Sequence, residues 1–142
     1  MLTVNDILQH KRKELFSIEP GNTVYEAIKL MGDKNIGALL VMEAGQLRGI
    51  LSERDYARKV VLKERKSRET KVSDIMTDKV ITVKPGDSVE HCMEVMTAKK
   101  IRHLPVTEDQ EVVGIISIGD VVMAIIHMQQ ETIDHLKNYI SL

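Results

Sequence analysis

The chain has little of what several classes of protein need. It contains one cysteine, Cys92, no tryptophan and one phenylalanine, and its net charge is −1. A lone cysteine excludes an intramolecular disulfide and a cysteine-based zinc cluster. Balanced charge and scarce aromatic rings give no general electrostatic or stacking reason to bind nucleic acid. We expect neither a metal site nor a nucleic-acid partner.

Long apolar runs are also missing. No stretch approaches the ~18 apolar residues of a membrane span, and the first six residues lack the basic region and apolar core of a signal peptide. These absences predict a cytoplasmic protein that neither crosses nor binds a membrane.

What the chain does have is an internal repeat, offset by 65 positions. Residues 20–24 (Pro-Gly-Asn-Thr-Val) match 85–89 (Pro-Gly-Asp-Ser-Val), and residues 49–55 match 114–120. Towards the N-terminus the offset becomes 68, so the first copy has three extra residues within 9–14, which we place in an exposed loop. We divide the chain into a first motif, 1–66, and a second motif with a longer final helix, 67–142.

Periodicity and turn signals predict the order β-α-β-β-α in each copy, an α+β (α/β) fold. The predicted strands are 16–18, 38–42 and 47–51 in the first copy, and 80–83, 104–106 and 112–116 in the second. Thr23 or Asn22 is predicted to cap the first helix of the first copy, and the second copy repeats the buried face of that helix from Val89. The later helices are predicted over 54–64 and 119–138. Cys92 replaces Ala27 on a buried helix face, so we interpret it as a small buried side chain.

Two further segments have an expected role. The charged run 63–71 is typical of a solvated linker. The final helix carries an apolar stripe that continues past the repeat, which predicts a partner, most simply a second copy of the chain. The stripe consists of Val121, Val122, Ile125, Ile126, Met128, Ile133, Leu136 and Ile140.

Catalytic signatures are absent. The five histidines have no metal-ligand spacing, and the chain has no glycine-rich phosphate loop or nucleophile elbow. We therefore predict that the protein is not an enzyme and has no catalytic residues.

The repeated Ser-x-x-Asp allows two interpretations. Ser52 and Ser117 can be helix N-caps, with Asp55 and Asp120 closing capping boxes. Alternatively, each aspartate can accept two hydrogen bonds from vicinal hydroxyls such as those of a ribose, beside the free amides of a helix start. Local sequence alone favours the cap.

The flanking pattern resembles a known family. Val-Ser-Asp-Ile-Met, Pro-Gly-Asp-Ser-Val, Ile-Arg-His-Leu-Pro-Val and Gly-Ile-Ile-Ser-Ile-Gly-Asp, within a tandem 65-residue unit, resemble a pair of CBS (cystathionine β-synthase) domains, or Bateman module, from about residue 4 to 128. The resemblance implies a pseudo-two-fold arrangement with clefts between the motifs that take adenosine-containing ligands: AMP, ADP, ATP, NAD(H) or S-adenosylmethionine. It also implies that Asp55 and Asp120 hold the ribose hydroxyls.

By the same resemblance, apolar strand residues flank the adenine and basic residues bind phosphate. The candidates around Ser52 and Asp55 are Phe16, Ile18, Ile36, Gly37, Ala38, Arg54 and Arg58. Those around Ser117 and Asp120 are Ile81, Ile101, Arg102, His103, Leu104, Pro105 and Gly119. His103 can equally be a packed, hydrogen-bonded strand histidine.

The expected function is a regulatory, adenine-nucleotide-sensing module that forms a homodimer and acts on a partner or effector protein. The alternative is a structural dimerisation or partner-interaction module with empty clefts, in which the Ser-x-x-Asp motifs are caps only.

Overall fold

A computed structural model describes residues 1–11 and 14–141 as a mixed α+β protein. The helices of this part are α1 (Val4–Gln9), α2 (Val24–Lys34), α3 (Glu53–Tyr56), α4 (Val72–Ile75), α5 (Val89–Lys99) and α6 (Ile118–Ser141). The strands are β1 (Ser17–Ile18), β2 (Ala38–Glu43), β3 (Gln46–Ser52), β4 (His103–Glu108) and β5 (Glu111–Ser117).

The chain forms two compact units whose boundaries differ from those of the sequence repeats. The central unit is Glu14–Ile81, and the terminal unit combines Met1–Lys13 with Thr82–Leu142. The helix that leads the first repeat, α1, therefore belongs to the unit built from the second repeat. The division at 1–66 and 67–142 follows the duplication, whereas the compact units follow the packing.

Backbone hydrogen bonds explain this assignment of the leading helices. In the terminal unit the N–H of Val4 donates to the carbonyl of Asp87 at 2.9 Å, and that of Val89 donates to Leu2 at 3.0 Å. In the central unit the equivalent donor, Val72, reaches Asn22 at 2.9 Å. Because these bonds satisfy the free amides of helix starts, each unit needs a leading segment that lies outside its own repeat.

Each unit contains a small sheet. In the central unit β2 pairs parallel with β1 and antiparallel with β3. In the terminal unit β4 pairs antiparallel with β5, and the strand predicted at 80–83 is reduced to a bridge between Val83 and Val106. Both predicted hairpins are confirmed, and both have a two-residue turn with positive φ, at Ala44–Gly45 and at Asp109–Gln110.

The first long helix of each repeat has the predicted buried face. Val24, Ala27 and Met31 of α2 are at most 3% exposed, and the corresponding face of α5 includes Cys92, which is fully buried. The side chain of Thr23 accepts the amide of Glu26, as the capping pattern predicts.

The second helix of each repeat differs between the units. α3 ends at Tyr56 and continues as a π-helical turn, Ala57–Val61, in which the N–H of Leu62 donates to the carbonyl of Ala57 at 3.0 Å. α6 is a regular helix that runs to Ser141, slightly beyond the predicted end at 138. The helix predicted over 54–64 is therefore present from Glu53 to Val61, but its second half is π-helical and it ends three residues earlier than predicted.

The segment 63–71 is more than a solvated linker. Most of its side chains are exposed, but Thr70 is only 3% exposed and its carbonyl accepts the N–H of Val24 at 2.8 Å. The guanidinium of Arg68 lies 3.8 Å from the centre of the Tyr25 ring. The segment thus caps the start of α2.

Candidate functional site

The junction between β3 and α3 begins with a fixed serine and a fixed aspartate. Ser52 has extended backbone angles (φ −117°, ψ 163°), which end the strand and begin the helix. Its N–H donates to Asp55 Oδ2 at 2.9 Å, and the N–H of Asp55 donates to Ser52 Oγ at 3.2 Å. The capping interpretation is confirmed here.

The junction between β5 and α6 repeats this geometry in the terminal unit. The N–H of Ser117 donates to Asp120 Oδ2 at 2.8 Å, and the N–H of Asp120 donates to Ser117 Oγ at 3.1 Å. The strand-to-helix junction of each unit therefore holds its aspartate in a defined position at a helix start, where the amide dipoles favour a negative charge.

A glycine precedes each junction because a larger side chain would clash at that position. A Cβ on Gly49 would lie 2.7 Å from Met76 Sδ and 2.8 Å from the carbonyl oxygen of Thr77, and one on Gly114 would lie 2.6 Å from Leu8 Cδ2. In each unit, the segment at or just after the leading helix (α4 or α1) thus packs directly on the strand that carries the glycine (β3 or β5).

The neighbouring strand brings the other predicted site residues to each junction. The N–H of Glu53 donates to the carbonyl of Gly37 at 3.0 Å, and Ala38 pairs with Ser52. In the terminal unit the N–H of Ile118 donates to the carbonyl of Arg102 at 2.8 Å, and His103 pairs with Ser117. The structure therefore brings 37–38 together with Ser52, and 102–103 together with Ser117.

Each aspartate also has a lysine partner that the sequence did not predict. Lys59 Nζ lies 3.2 Å from Asp55 Oδ1 and donates to the carbonyl of Ile75 at 3.0 Å. Lys11 Nζ lies 2.6 Å from Asp120 Oδ2 and donates to the carbonyl of Ile115 at 2.7 Å. The i,i+4 spacing of Lys59 is a readable signal. No such signal in the sequence marks Lys11, because this residue lies in the insertion that we expected to be an exposed loop.

The two carboxylates differ in how their oxygens are used. At Asp55, which is 17% exposed, Oδ2 faces Ser52 and Oδ1 faces Lys59. At Asp120, which is 25% exposed, the amide of Ser117 and the ammonium of Lys11 both use Oδ2. Within residues 1–11 and 14–141, Asp120 Oδ1 is left for another donor.

His103 lies in a cationic setting beside Asp120. Burial lowers the pKa of His103, the positive charge of Lys11 lowers it further, and the negative charge of Asp120 opposes them. The imidazole is therefore neutral at pH 7 and can donate one hydrogen bond and accept another. By contrast, burial raises the pKa of the Cys92 thiol to about 11, which keeps it protonated and unreactive.

The candidate apolar residues differ in exposure. Phe16, Ile18 and Ile36 are half-buried and pack against the core of the central unit. Ile101 in the terminal unit and Ile81 at the end of the central unit are also half-buried. The side chains that are already buried in the packing are Ala38, Leu104 and Pro105.

The candidate phosphate-binding residues are asymmetric. Arg54 lies in the first turn of α3 and is half-buried, whereas Arg58 lies exposed in the π-helical turn. At the position equivalent to Arg54, a Cβ on Gly119 would meet only Ser117 Oγ, at an ordinary 3.5 Å. The start of α6 is thus open where the start of α3 carries an arginine. The exposed Arg102 supplies a cation on the neighbouring strand segment.

Two further classes of feature, metal-binding clusters and membrane-spanning helices, are absent from the described part of the chain. No group of three or more histidine, cysteine, aspartate or glutamate side chains there could hold a metal ion. No helix there is long and apolar enough to cross a membrane.

Comparisons with known proteins agree with this architecture. The family model described as CBS domain matches residues 4–62 and 72–127. The CBS domain-containing protein CBSX3, mitochondrial, of Arabidopsis thaliana is 42% identical over 97% of this chain and 71% of its own length. Since that relative is named as mitochondrial, the cytoplasmic location stays a prediction.

Solved structures share the fold. A protein with CBS domains from Burkholderia ambifaria MC40-6 superposes with a TM-score of 0.86 at 48% identity, over 88% of this chain and 94% of that one. The CBS domain pair of protein MJ0100, in complex with 5′-methylthioadenosine and S-adenosyl-L-methionine, gives a TM-score of 0.75 at 29% identity, over 85% of this chain and 97% of that one.

Proposed function

The chain belongs to the CBS domain family, and we propose that it is a non-catalytic regulatory module that binds an adenine nucleotide, such as AMP, ATP or NAD(H). The observation that carries the proposal is the repeated junction, in which Asp55 and Asp120 are each fixed at a helix start by their own capping serine. The ligands of the MJ0100 domain pair contain adenosine but no phosphate, so they support the adenosine part of the proposal.

A ribose suits these carboxylates because its two vicinal hydroxyls are paired donors. A carboxylate has two oxygens with about four lone-pair sites, so it can accept both hydroxyls while keeping the bond to its capping amide. Hydrogen bonds to an ionised acceptor are roughly twice as strong as neutral ones. The capping box and the ribose site are therefore compatible, and the cap holds the acceptor in position before the ligand arrives.

The different contacts of Lys59 and Lys11 with the two aspartates predict that the two sites bind a ribose with different affinity. Among the described residues Asp120 Oδ1 has no donor and can accept a hydroxyl, whereas at Asp55 the corresponding oxygen faces Lys59. Lys11 donates two of its three N–H bonds to Asp120 and Ile115, and the third has no acceptor among the described residues, so we expect it to serve a ligand. We therefore expect the terminal unit to bind the ribose more tightly than the central unit.

Phosphate recognition would also differ between the units. Arg54 at the start of α3 offers a guanidinium that can form a bidentate pair of hydrogen bonds to a phosphate. The terminal unit offers Arg102 and Lys11 instead, with the neutral His103 beside them. A ligand with a phosphate suits both settings better than neutral adenosine does.

Regulation follows if the ligand prefers one conformation of the protein over another. A bound nucleotide can shift an equilibrium only by its difference in affinity for the two states. The partner that would read this shift is a second copy of the chain or an effector protein.

The rival function is a structural module without a ligand. The capping hydrogen bonds favour it to the extent that they give both aspartates a role in stability. The exposed apolar residues of α6 favour a partner surface in either case.

Isothermal titration of the purified protein with AMP, ATP, NADH and S-adenosylmethionine tests the proposal. We expect saturable heat with at least one phosphate-bearing nucleotide. Absence of binding by all four at high protein concentration would leave the structural module as the function.

A further inference from the structure

Helix α6 presents apolar side chains on two different faces. The first face packs on the terminal unit through Val121, which is fully buried, and through the half-buried Ala124, Ile125 and Met128. The exposed apolar residues of the second face are Val122 (38%), Ile126 (52%), Ile133 (44%), Leu136 (57%) and Ile140 (80%). At about 100° per residue, the centre of the second face lies roughly 110° around the helix from the first. Packing of the terminal unit therefore leaves it accessible.

The second face has the spacing of a coiled-coil seam. Its positions are Val122, Ile126, Gln129, Ile133, Leu136 and Ile140, which are separated alternately by four and three residues. This alternation is the heptad a/d pattern, in which side chains of one helix fit between those of a second helix with the same spacing. The stripe is also narrower than the apolar face of about 100° or more with which a helix packs on a globular core.

We propose that residues 122–140 of α6 pair in parallel with the same residues of a second copy of this chain, as a short two-stranded coiled coil. The seam is its own complement, because equivalent positions of two parallel helices meet. The four distal positions that flank the seam are Gln130, Thr132, Lys137 and Tyr139, so no like charges oppose each other there. The acidic residues Glu131 and Asp134 lie away from the seam.

Gln129 determines the direction of the pair. In a parallel pair the two Gln129 amides face each other across the seam and can form a hydrogen bond. In an antiparallel pair over the same residues, 122–140, each Gln129 would face the apolar Ile133 of the other helix. The hydrogen bond between the two amides would then be lost. A single polar residue in such a seam fixes the register at some cost in stability.

The distal half of α6 has a physical reason to need a partner. Every residue from 129 to 141 is exposed, so packing on the terminal unit contributes nothing to this part of the helix. Isolated helices shorter than about 12–15 residues are marginal in water, and most helical stability in proteins comes from packing an apolar face. Pairing along the seam supplies that packing.

Cysteine crosslinking tests both the surface and its direction. Cys92 is buried and its thiol has a pKa of about 11, so we expect it not to crosslink. The unmodified chain is therefore the negative control. Under mild oxidation we expect Leu136→Cys to form a disulfide-linked dimer and Asn138→Cys, on the outer face, to form none. Crosslinking of a mixture of Ile126→Cys and Leu136→Cys without crosslinking of Leu136→Cys alone would show an antiparallel pair and overturn the proposal.

Sedimentation gives an independent readout. The unmodified chain should be a dimer at tens of micromolar, and Ile133→Lys should be a monomer with an unchanged melting profile of the core, because Ile133 is exposed in the single chain. Asp134→Lys, one residue away on the outer face, should remain dimeric. A monomeric unmodified chain, or an Ile133→Lys variant that stays fully dimeric, would overturn the proposal whether or not a nucleotide binds.

Discussion

Replacing Asp120 by asparagine separates the ribose-binding role of this residue from its capping role. The matched control is Asp6→Asn, because Asp6 also accepts the backbone amide of its own N-cap residue in the same unit. The N–H of Thr3 donates to Asp6 Oδ2 at 2.8 Å, and the N–H of Ser117 donates to Asp120 Oδ2 at 2.8 Å. Only Asp120 stands beside residues that we assign to a ligand.

The expected loss of stability can be worked from the contacts of Asp120. Asparagine keeps an acceptor for the capping amide but loses the charge, which is worth about 0.3–1 kcal/mol at a helix start. The ion pair with Lys11, whose side chain is 28% exposed, adds about 0.2–1 kcal/mol. Asp120→Asn should therefore lower the free energy of unfolding by about 0.5–2 kcal/mol, and Asp6→Asn should have a smaller effect because Asp6 has no such ion pair among the described contacts.

The effect on nucleotide affinity should be larger and selective. A hydrogen bond to a charged acceptor contributes about 1.5–3 kcal/mol, which corresponds to a loss of about 10- to 150-fold in affinity. Calorimetric titration of AMP into the three proteins, combined with urea unfolding, measures both quantities. Equal affinities of Asp120→Asn and Asp6→Asn would refute the ribose assignment and leave Asp120 as a cap alone.

The remaining predictions concern packing and pH. Gly49→Ala should destabilise the protein by about 1–3 kcal/mol in urea unfolding, because its Cβ meets a backbone carbonyl at 2.8 Å. Gly114→Ala should cost less because only the flexible end of Leu8 must move, and an equal or greater loss would contradict that packing. Because the pKa of His103 is lowered on folding, the unfolded state binds more protons below about pH 6.5, so the unfolding free energy should fall from pH 7.5 to 5.5. The slope should flatten in His103→Gln, and Lys11→Met should raise the pKa of His103 in NMR titrations; an unchanged slope or a lower pKa would contradict the cationic setting.

Much of the fold follows from local sequence signals. The hairpins were predictable because each has a two-residue turn between apolar runs, and the helix starts at Thr23 and Ser52 were predictable because a serine or threonine precedes an acidic residue by three positions. These features depend on residues that are close in the chain, so a single sequence contains the information.

The features that the sequence did not reveal depend on contacts between distant residues. The assignment of α1 to the terminal unit rests on hydrogen bonds between residues more than 80 positions apart, such as Val4 and Asp87. The pairing of Lys11 with Asp120 spans 109 positions, and a polar insertion gives no indication of such a partner. The π-helical turn after Tyr56 likewise has no local signature that distinguishes it from the helix predicted there.

The positions of the candidate residues relative to one another were easier to predict from the sequence than their contacts, and their role in binding stays a prediction. Asp55 and Asp120 were found because the duplication repeats them, and the adjacent pairs 37–38 and 102–103 lie beside them as expected. The difference in how Lys59 and Lys11 occupy the carboxylate oxygens is a matter of geometry, so only the structure could provide it.

The central claim is that the carboxylate of Asp120, and less strongly that of Asp55, accepts the hydroxyls of a ribose. The most direct test is a calorimetric comparison of AMP with its 2′,3′-dideoxy analogue on the unmodified protein, because the two ligands share the adenine and the phosphate. We predict that AMP binds and that the analogue binds at least about 10-fold more weakly, since each lost hydroxyl removes a charge-assisted hydrogen bond. Equal binding of the two ligands would contradict the claim.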